Sequence, residues 1–246
     1  MSDIASRTAE QGASGLPHGF PKEMAAVAIL SFIAGFADAS SFVGAEGVFS
    51  AHVTGNFVVL AADFARGADK GEWIKLATFP IFVATVLAVT ALHRRLKLEP
   101  TAATRRLLLL QFALFVFAAA LGAAAGAPPS SGPSRAMIVS LLVVAMGVQN
   151  AMHRIHAKLG PMTTVMTGNV TQVLSDSLAP STPESRARRE LLGAIISAFA
   201  VGCAAGAASV WRIGFAMLVV PALAALGARA LLPAGSSIPK ATAGGG

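Results

Sequence analysis

An all-α membrane protein assembled from two related halves is the fold class this sequence predicts, on three observations. Hydrophobic residues make up 54% of the 246 and charged residues 13%, where an average soluble domain has about 25% charged. The apolar residues also come in blocks rather than at a helical period. The stretches 24–43, 76–92, 107–127, 136–152, 191–210 and 213–232 are nearly charge-free, and runs of about 17–25 such residues are long enough to span a bilayer. Finally, the triplet Thr-Gly-Asn occurs twice, as Thr54-Gly55-Asn56 and Thr167-Gly168-Asn169, each time ahead of a mostly apolar run.

The two triplets belong to a longer repeat. The offset of 113 that carries Gly55 onto Gly168 also lays Asp63 on Asp176 and residues 79–89 on 192–202. Upstream, Gly35 and Asp38 fall on Gly147 and Asn150 at an offset of 112, so the second copy has gained one residue between these blocks. Self-similarity at a fixed spacing marks an internal duplication.

Taken in order, residues 1–21 are polar, rich in Ser, Gly and Ala, and lack the basic start and apolar core of a signal peptide, so a disordered tail is expected. The first membrane repeat covers 22–127. Its first span, from Met24, ends in Gly35-Phe-Ala-Asp38-Ala-Ser-Ser-Phe42, and the first triplet segment runs on to Ala65. A polar loop from Arg66 to Lys75 leads into a second span with Pro80 near its start, and a basic loop from His93 to Arg106 precedes the third. Residues 128–135, rich in Pro and Ser, form a connecting turn. The second repeat, 136–232, keeps the same order, and 233–246 reads as a second disordered tail. Gly122 with Gly126 and Gly202 with Gly206 give small-xxx-small patterns, which suit internal helix packing and are also compatible with a homo-oligomer.

Orientation follows from the basic residues. If the triplet segments do not cross, there are six spans, three per half, and the odd number inverts the second half. With the N-terminus inside, the 19 Lys and Arg divide 14 inside to 5 outside; with eight spans and parallel halves they divide 11 to 8. The positive-inside rule prefers six. Residues 47–65 are just long enough to reach across, which is the case for eight.

Glycine is poor inside a helix, and Thr and Asn compete for backbone hydrogen bonds. Together they suit a broken or re-entrant segment whose following helix is capped by Thr or Asn. Within a bilayer such a break is tolerated only where protein or a water-filled cavity covers it. Two matched breaks in inverted halves resemble the plan of many secondary transporters, where half-helix N-termini face a midplane solute. The candidate binding residues are Asp38, His52, Thr54, Gly55, Asn56, Gln149, Asn150, Thr167, Gly168 and Asn169. The same residues equally suit packing and capping. Asp38 is the acid of the first span, and a buried ionisable group there is a functional candidate; its counterpart Asn150 is neutral. His52 stands over Val165, outside the common frame, while Asp63 and Asp176 read as the polar ends of their segments.

Other function classes find little support. Net charge is +7 with a pI of about 10.5, but the cations sit in short loops rather than in a stripe interleaved with aromatics, which argues against nucleic acid. Cys203 stands alone, so it makes no internal disulfide. Asn169-Val-Thr171 is a glycosylation sequon by chance. His153 and His156 have helical spacing but no carboxylate or Cys nearby in sequence, so a basic loop role is expected and no metal. No nucleophile elbow, P-loop, dinucleotide fingerprint or HExxH is present. Neither an enzyme nor a cofactor is expected.

Gly35-Phe-Ala-Asp38-Ala-Ser-Ser-Phe42 followed by Phe49-Ser-Ala-His52-Val-Thr-Gly-Asn56, and Gly147-Val-Gln-Asn150-Ala followed by Thr163-Thr-Val-Met-Thr-Gly-Asn169, resemble the two-part signature of the YoaK family, also called domain of unknown function 1275. The resemblance covers about residues 22–232. It implies a multi-pass protein of the bacterial inner membrane with six spans, and supplies no activity, substrate or cofactor. From the two breaks themselves, the expectation is a small transporter or channel for a polar solute, in contact with the lipid bilayer, with one central site shared by the two Thr-Gly-Asn segments. The alternative is a non-transporting scaffold or assembly partner, with a membrane-embedded enzyme third.

Overall fold

The computed structural model describes residues 20–67, 73–126, 133–180 and 182–233. Residues 1–19 and 234–246 of the expected tails, and most of the turn at 128–135, lie outside the described residues, while Phe20 and Pro21, expected in the tail, open the first helix. Within them the helices are α1 (Phe20–Gly44), α2 (Gly55–Ala65), α3 (Trp73–Leu96), α4 (Pro100–Ala125), α5 (Pro133–Ile155), α6 (Met166–Leu178), α7 (Pro183–Ile213) and α8 (Val219–Leu231), with 3₁₀ turns at Ala157–Leu159 and Phe215–Leu218. Helix starts follow local chemistry. Glu99 accepts from the Ala102 N–H at 2.9 Å with Pro100 behind it, and Thr182 and Ser185 form a reciprocal capping box ahead of α7. Gly214, at φ 88°, separates α7 from the next 3₁₀ turn, so the apolar block at 213–232 is not one continuous α-helix.

Among the described residues, five helices, α1, α3, α4, α5 and α7, are long and apolar enough to cross a membrane. Phe215–Leu231 forms a shorter apolar segment. α1 and α5, the first long helix of each half, are the centre: 67% of the apolar window of each is buried, against 17% for α3 and 28% for α4 and α7. The outer helices turn large apolar residues outward, among them Phe64, Leu87, Trp211 and Leu223. So much exposed apolar surface suits lipid and not water.

The helix directions can be read from side-chain pairs. Ser31 Oγ donates to Ile195 O at 2.7 Å, Gly35 abuts Phe199, and Gly44 abuts Val210. Numbers rise together, so α1 and α7 run parallel. Their contact is nearly backbone to backbone: a Cβ on Gly35 would collide with the Phe199 carbonyl, and one on Gly202 or Gly206 with the carbonyls of Phe32 or Phe36. The Gly202–Gly206 pattern thus serves internal packing. α1 and α5 run antiparallel. Val27 meets Gly160 just beyond the end of α5, Gln149 donates to Leu30 O, and Glu46 just beyond α1 pairs with Arg135 at the start of α5. α4 and α8 are antiparallel too, since Arg105 donates to Arg229 O and Leu232 O while Gly122 abuts Phe215.

The contacts repeat between the halves. α1 packs on α7, and their counterparts α5 and α3 pack on each other, with Gly147, the equivalent of Gly35, against Phe82 and Thr85. α1 packs on α8 as α5 packs on α4, and α2 on α3 as α6 on α7.

Candidate functional site

After Gly44 the chain leaves the helix, turns at Glu46 and Gly47 with φ of 55° and 82°, and comes back to Asp38. Asp38 is only 4% exposed. Its Oδ1 accepts the backbone N–H groups of Ser50, Ala51 and His52 at 2.9, 2.7 and 3.3 Å. Its Oδ2 accepts from His52 Nδ1 at 2.6 Å. A carboxylate only accepts, so Nδ1 carries a proton; in the neutral ring Nε2 is then an acceptor, and in the imidazolium it is a second donor. Asp38 thus holds the returning segment and orients the imidazole.

Asn56 holds the same segment from the other side. Its Oδ1 accepts from Phe49 N at 2.7 Å, and its Nδ2 donates to Phe49 O and to Thr78 Oγ1, both at 2.8 Å. This differs from the capping role expected of Thr or Asn. Thr54, the residue before α2, makes no side-chain cap and is exposed. The first N–H groups of α2 are instead used in tight local bonds: Gly55 on His52 O, Asn56 on Val53 O and Phe57 on Thr54 O. A buried Asn with two backbone groups in reach satisfies more hydrogen bonds there than a cap would supply. Gly55 allows this because a Cβ would lie 3.1 Å from the Phe49 ring.

The second half builds a related arrangement. Asn150 Oδ1 accepts from Thr164 Oγ1 at 2.8 Å, 14 residues on, the same separation as Asp38 and His52. Asn169 Nδ2 donates to Met162 O at 2.9 Å, seven residues back, as Asn56 does to Phe49. Thr164, rather than Val165, therefore does the work of His52. Thr167 and Gly168 are exposed, and α6 has no side-chain cap either. Gln149 is buried on the other side of α5, donating to Leu30 O and Thr163 Oγ1 and accepting from Gln111, each at 2.7–2.8 Å. His153 Nε2 lies 3.1 Å from Thr163 Oγ1, and His156 Nδ1 3.3 Å from Thr104 Oγ1, so the two imidazoles face different partners.

The expected binding residues thus gather into two clusters rather than around one shared central site. Asp38, His52, Thr54, Gly55 and Asn56 form one, and Asn150 and Asn169, with Gln149 behind them, form the other. Because α1 and α5 are antiparallel, Asp38 lies level with a part of α5 some seven or eight residues before Asn150, which separates the clusters by roughly 10 Å along the helix axes. A cleft of about 670 Å³ adjoins the first cluster, lined by Asp38, Ala39, Phe42, Val43, Phe49, His52, Gly55, Phe199, Cys203, Ala204 and Ala207. Nearly all of that lining is apolar.

One feature of both halves escaped the sequence reading. Asp63 pairs with Lys75, and Asp176 lies 3.7 Å from Arg188. The acids and the bases are each 113 apart, so the repeat conserves an ion pair that ties α2 to α3 and α6 to α7. The offset itself was the available signal, since a basic residue recurs at 75 and 188. Outside the spans, burial holds His156 below the ordinary imidazole range.

Paired helices that each return to a buried Asp or Asn, inside a bundle whose outer faces are apolar, define a multi-pass integral membrane protein with an internally duplicated core. The family described as "Protein of unknown function (DUF1275)" matches residues 26–231, and the chain belongs to it. It is similar to the UPF0700 transmembrane protein YoaK of Bacillus subtilis (strain 168), at 27% identity over 152 residues. The match spans 61% of this chain and 65% of that protein, just under two thirds of the relative's length. No solved structure matches. Family and apolar helices together make this a multi-pass protein of the bacterial inner (plasma) membrane.

Proposed function

We propose that the chain is a small carrier built from two inverted three-span repeats, residues 22–127 and 136–232, with its solute site at the cleft beside Asp38 and His52. The observation that carries this reading is the direction of the central helices. With six crossings α1 opposes α5 and α4 opposes α8, as their side-chain pairs require. With eight crossings both pairs would be parallel. Six crossings need Phe215–Leu231 as the last, and 17 residues are enough at the short end of the range. α2 and α6 then return to the side they left, so the Thr-Gly-Asn segments are re-entrant, one from each face, as in carriers whose halves exchange roles. The site lies within the first re-entrant segment, and Asn150 and Asn169 mark its neutral counterpart on the other face. The reading invokes no cofactor, metal or catalytic step.

A scaffold is the second reading, favoured by one observation: the Asp38 and Asn56 side chains are satisfied almost wholly within the protein. A thermal-shift screen of metabolites on the purified protein in lipid nanodiscs, followed by flux of each hit into proteoliposomes, separates the two. A carrier gives a stabilising solute that crosses the vesicle membrane. A screen without stabilising solutes, or hits that never cross, would favour the scaffold.

A further inference from the structure

We infer that the cleft takes an organic cation, a protonated primary amine on an apolar body, and that a proton on His52 competes with it. This rests on the carrier reading above and names the solute class the first cluster would hold. A volume of about 670 Å³ lies in the range of small-molecule sites. Its walls are mainly apolar and aromatic. The His52 ring makes edge-type contacts with Phe49 and Phe199, with centroid distances of 6.4 and 5.7 Å, and Phe42 lies tilted against Phe49 at 4.7 Å. Aromatic faces attract cations and offer nothing to anions.

The polar end of the cleft points the same way. Asp38, His52 and Cys203 are the ionisable groups that line it. Asp38 spends its oxygens on the loop N–H groups and on His52 Nδ1. It therefore acts on a solute through the imidazole, as a positioning residue. With the ring neutral and Nδ1–H donated to the carboxylate, the pair carries one negative charge and offers the Nε2 lone pair. An ammonium meets both an acceptor and an opposite charge; a carboxylate or phosphate meets neither. The start of α2 does not reverse this preference, because its first N–H groups are already bonded to His52 O, Val53 O and Thr54 O. When a proton binds Nε2, the pair becomes neutral and Nε2 turns into a donor. The amine then loses its acceptor and its counter-charge together, so proton and amine exclude each other. Such exclusion is what exchange of one for the other requires.

Cys203 lies in the cleft wall and is the sole cysteine of the chain, so its alkylation rate reports occupancy without mutation. The test compares octylamine, 1-octanol and octanoate, matched for membrane content, as protectants of Cys203 against a small maleimide. The full chain is used in nanodiscs, and rates with and without probe are compared at each pH. The inference predicts that octylamine protects on the order of tenfold better than octanoate, with octanol between. It also predicts that octylamine protection fades from pH 8 to pH 6, and that His52→Gln, which keeps a hydrogen-bonding side chain without the titrating ring, removes the pH dependence. Equal protection by all three probes, or best protection by octanoate, overturns the cation assignment and leaves the carrier reading standing. Amine protection that is independent of pH in the native chain overturns the competition. Absence of protection by any probe overturns the inference, while the carrier reading falls only if the screen and flux measurements also fail.

Discussion

Asn56 grips both backbone groups of Phe49, accepting its N–H at 2.7 Å and donating to its carbonyl at 2.8 Å. One side chain thereby replaces the partner strand or helix turn that this irregular backbone lacks. The same amide also reaches Thr78 of α3. Asn169 repeats only the bond to a carbonyl, that of Met162.

This asymmetry predicts unequal costs. Asn56→Ala removes the partner of the part-buried Phe49 N–H and carbonyl and one of two bonds at Thr78, whose hydroxyl still donates to Lys75 O, and should destabilise by about 2–3 kcal/mol. Asn169→Ala loses one such bond and should cost about 1 kcal/mol. Melting temperatures of the two variants in one detergent check the order; equal losses would mean the bracket carries no special weight.

Glycine substitutions sort by what a methyl group meets. Gly202→Ala and Gly35→Ala push α1 and α7 apart against backbone carbonyls, and overpacking of this kind costs about 1–3 kcal/mol. Gly193→Ala, on the same α7, meets nothing within 4 Å and gains helix propensity, so its melting temperature should hold or rise. A destabilised Gly193→Ala would show that lipid or another copy occupies the space beside it.

The ion pairs that secure α2 and α6 differ in burial. The difference lies in the base and in closeness: Lys75 is 6% exposed beside Asp63 at 20%, while Arg188 is 28% exposed and 3.7 Å from Asp176 at 15%. Asp63→Asn weakens the closer pair, whose ammonium is nearly buried, and should cost about 1–3 kcal/mol. Asp176→Asn should cost about 1 kcal/mol or less. Denaturation of each variant in mixed micelles measures both.

Stability should also depend on pH through His156. Burial depresses its folded-state pKa below the ordinary 6.5, so the unfolded chain binds the proton more readily. The neutral ring's contribution is present above 6.5 and is lost as pH falls through the folded pKa. His156→Gln should flatten the decline of melting temperature below pH 6.5 relative to the native chain. An unchanged slope would mean that other groups carry it.

The apolar blocks made the long helices legible in the sequence, and the offset of 113 made the duplication legible, because both depend on residue type and spacing alone. What Asn56 and Asp38 do was not. Their partners are backbone groups of residues 49–52, and a backbone N–H leaves no trace in composition. The ion pairs were within reach, since Lys75 and Arg188 share a charge and the repeat offset, but acid and base had to be followed along the offset together. Thr164 stayed hidden behind Val165 because the alignment of the copies slips by one residue there, and only the hydrogen bond to Asn150 reveals it.

Inversion of the two halves is the central claim, and side-specific labelling tests it most directly. Arg66 and Ala179 are equivalent at the offset of 113, both are exposed, and each closes its short helix. In a Cys203→Ser background, Arg66→Cys and Ala179→Cys are treated in intact cells and in inverted vesicles with a membrane-impermeant maleimide. Inverted repeats predict that position 66 labels only from outside and position 179 only from inside. Labelling of both from the same side would contradict the inversion, and with it the carrier built on it.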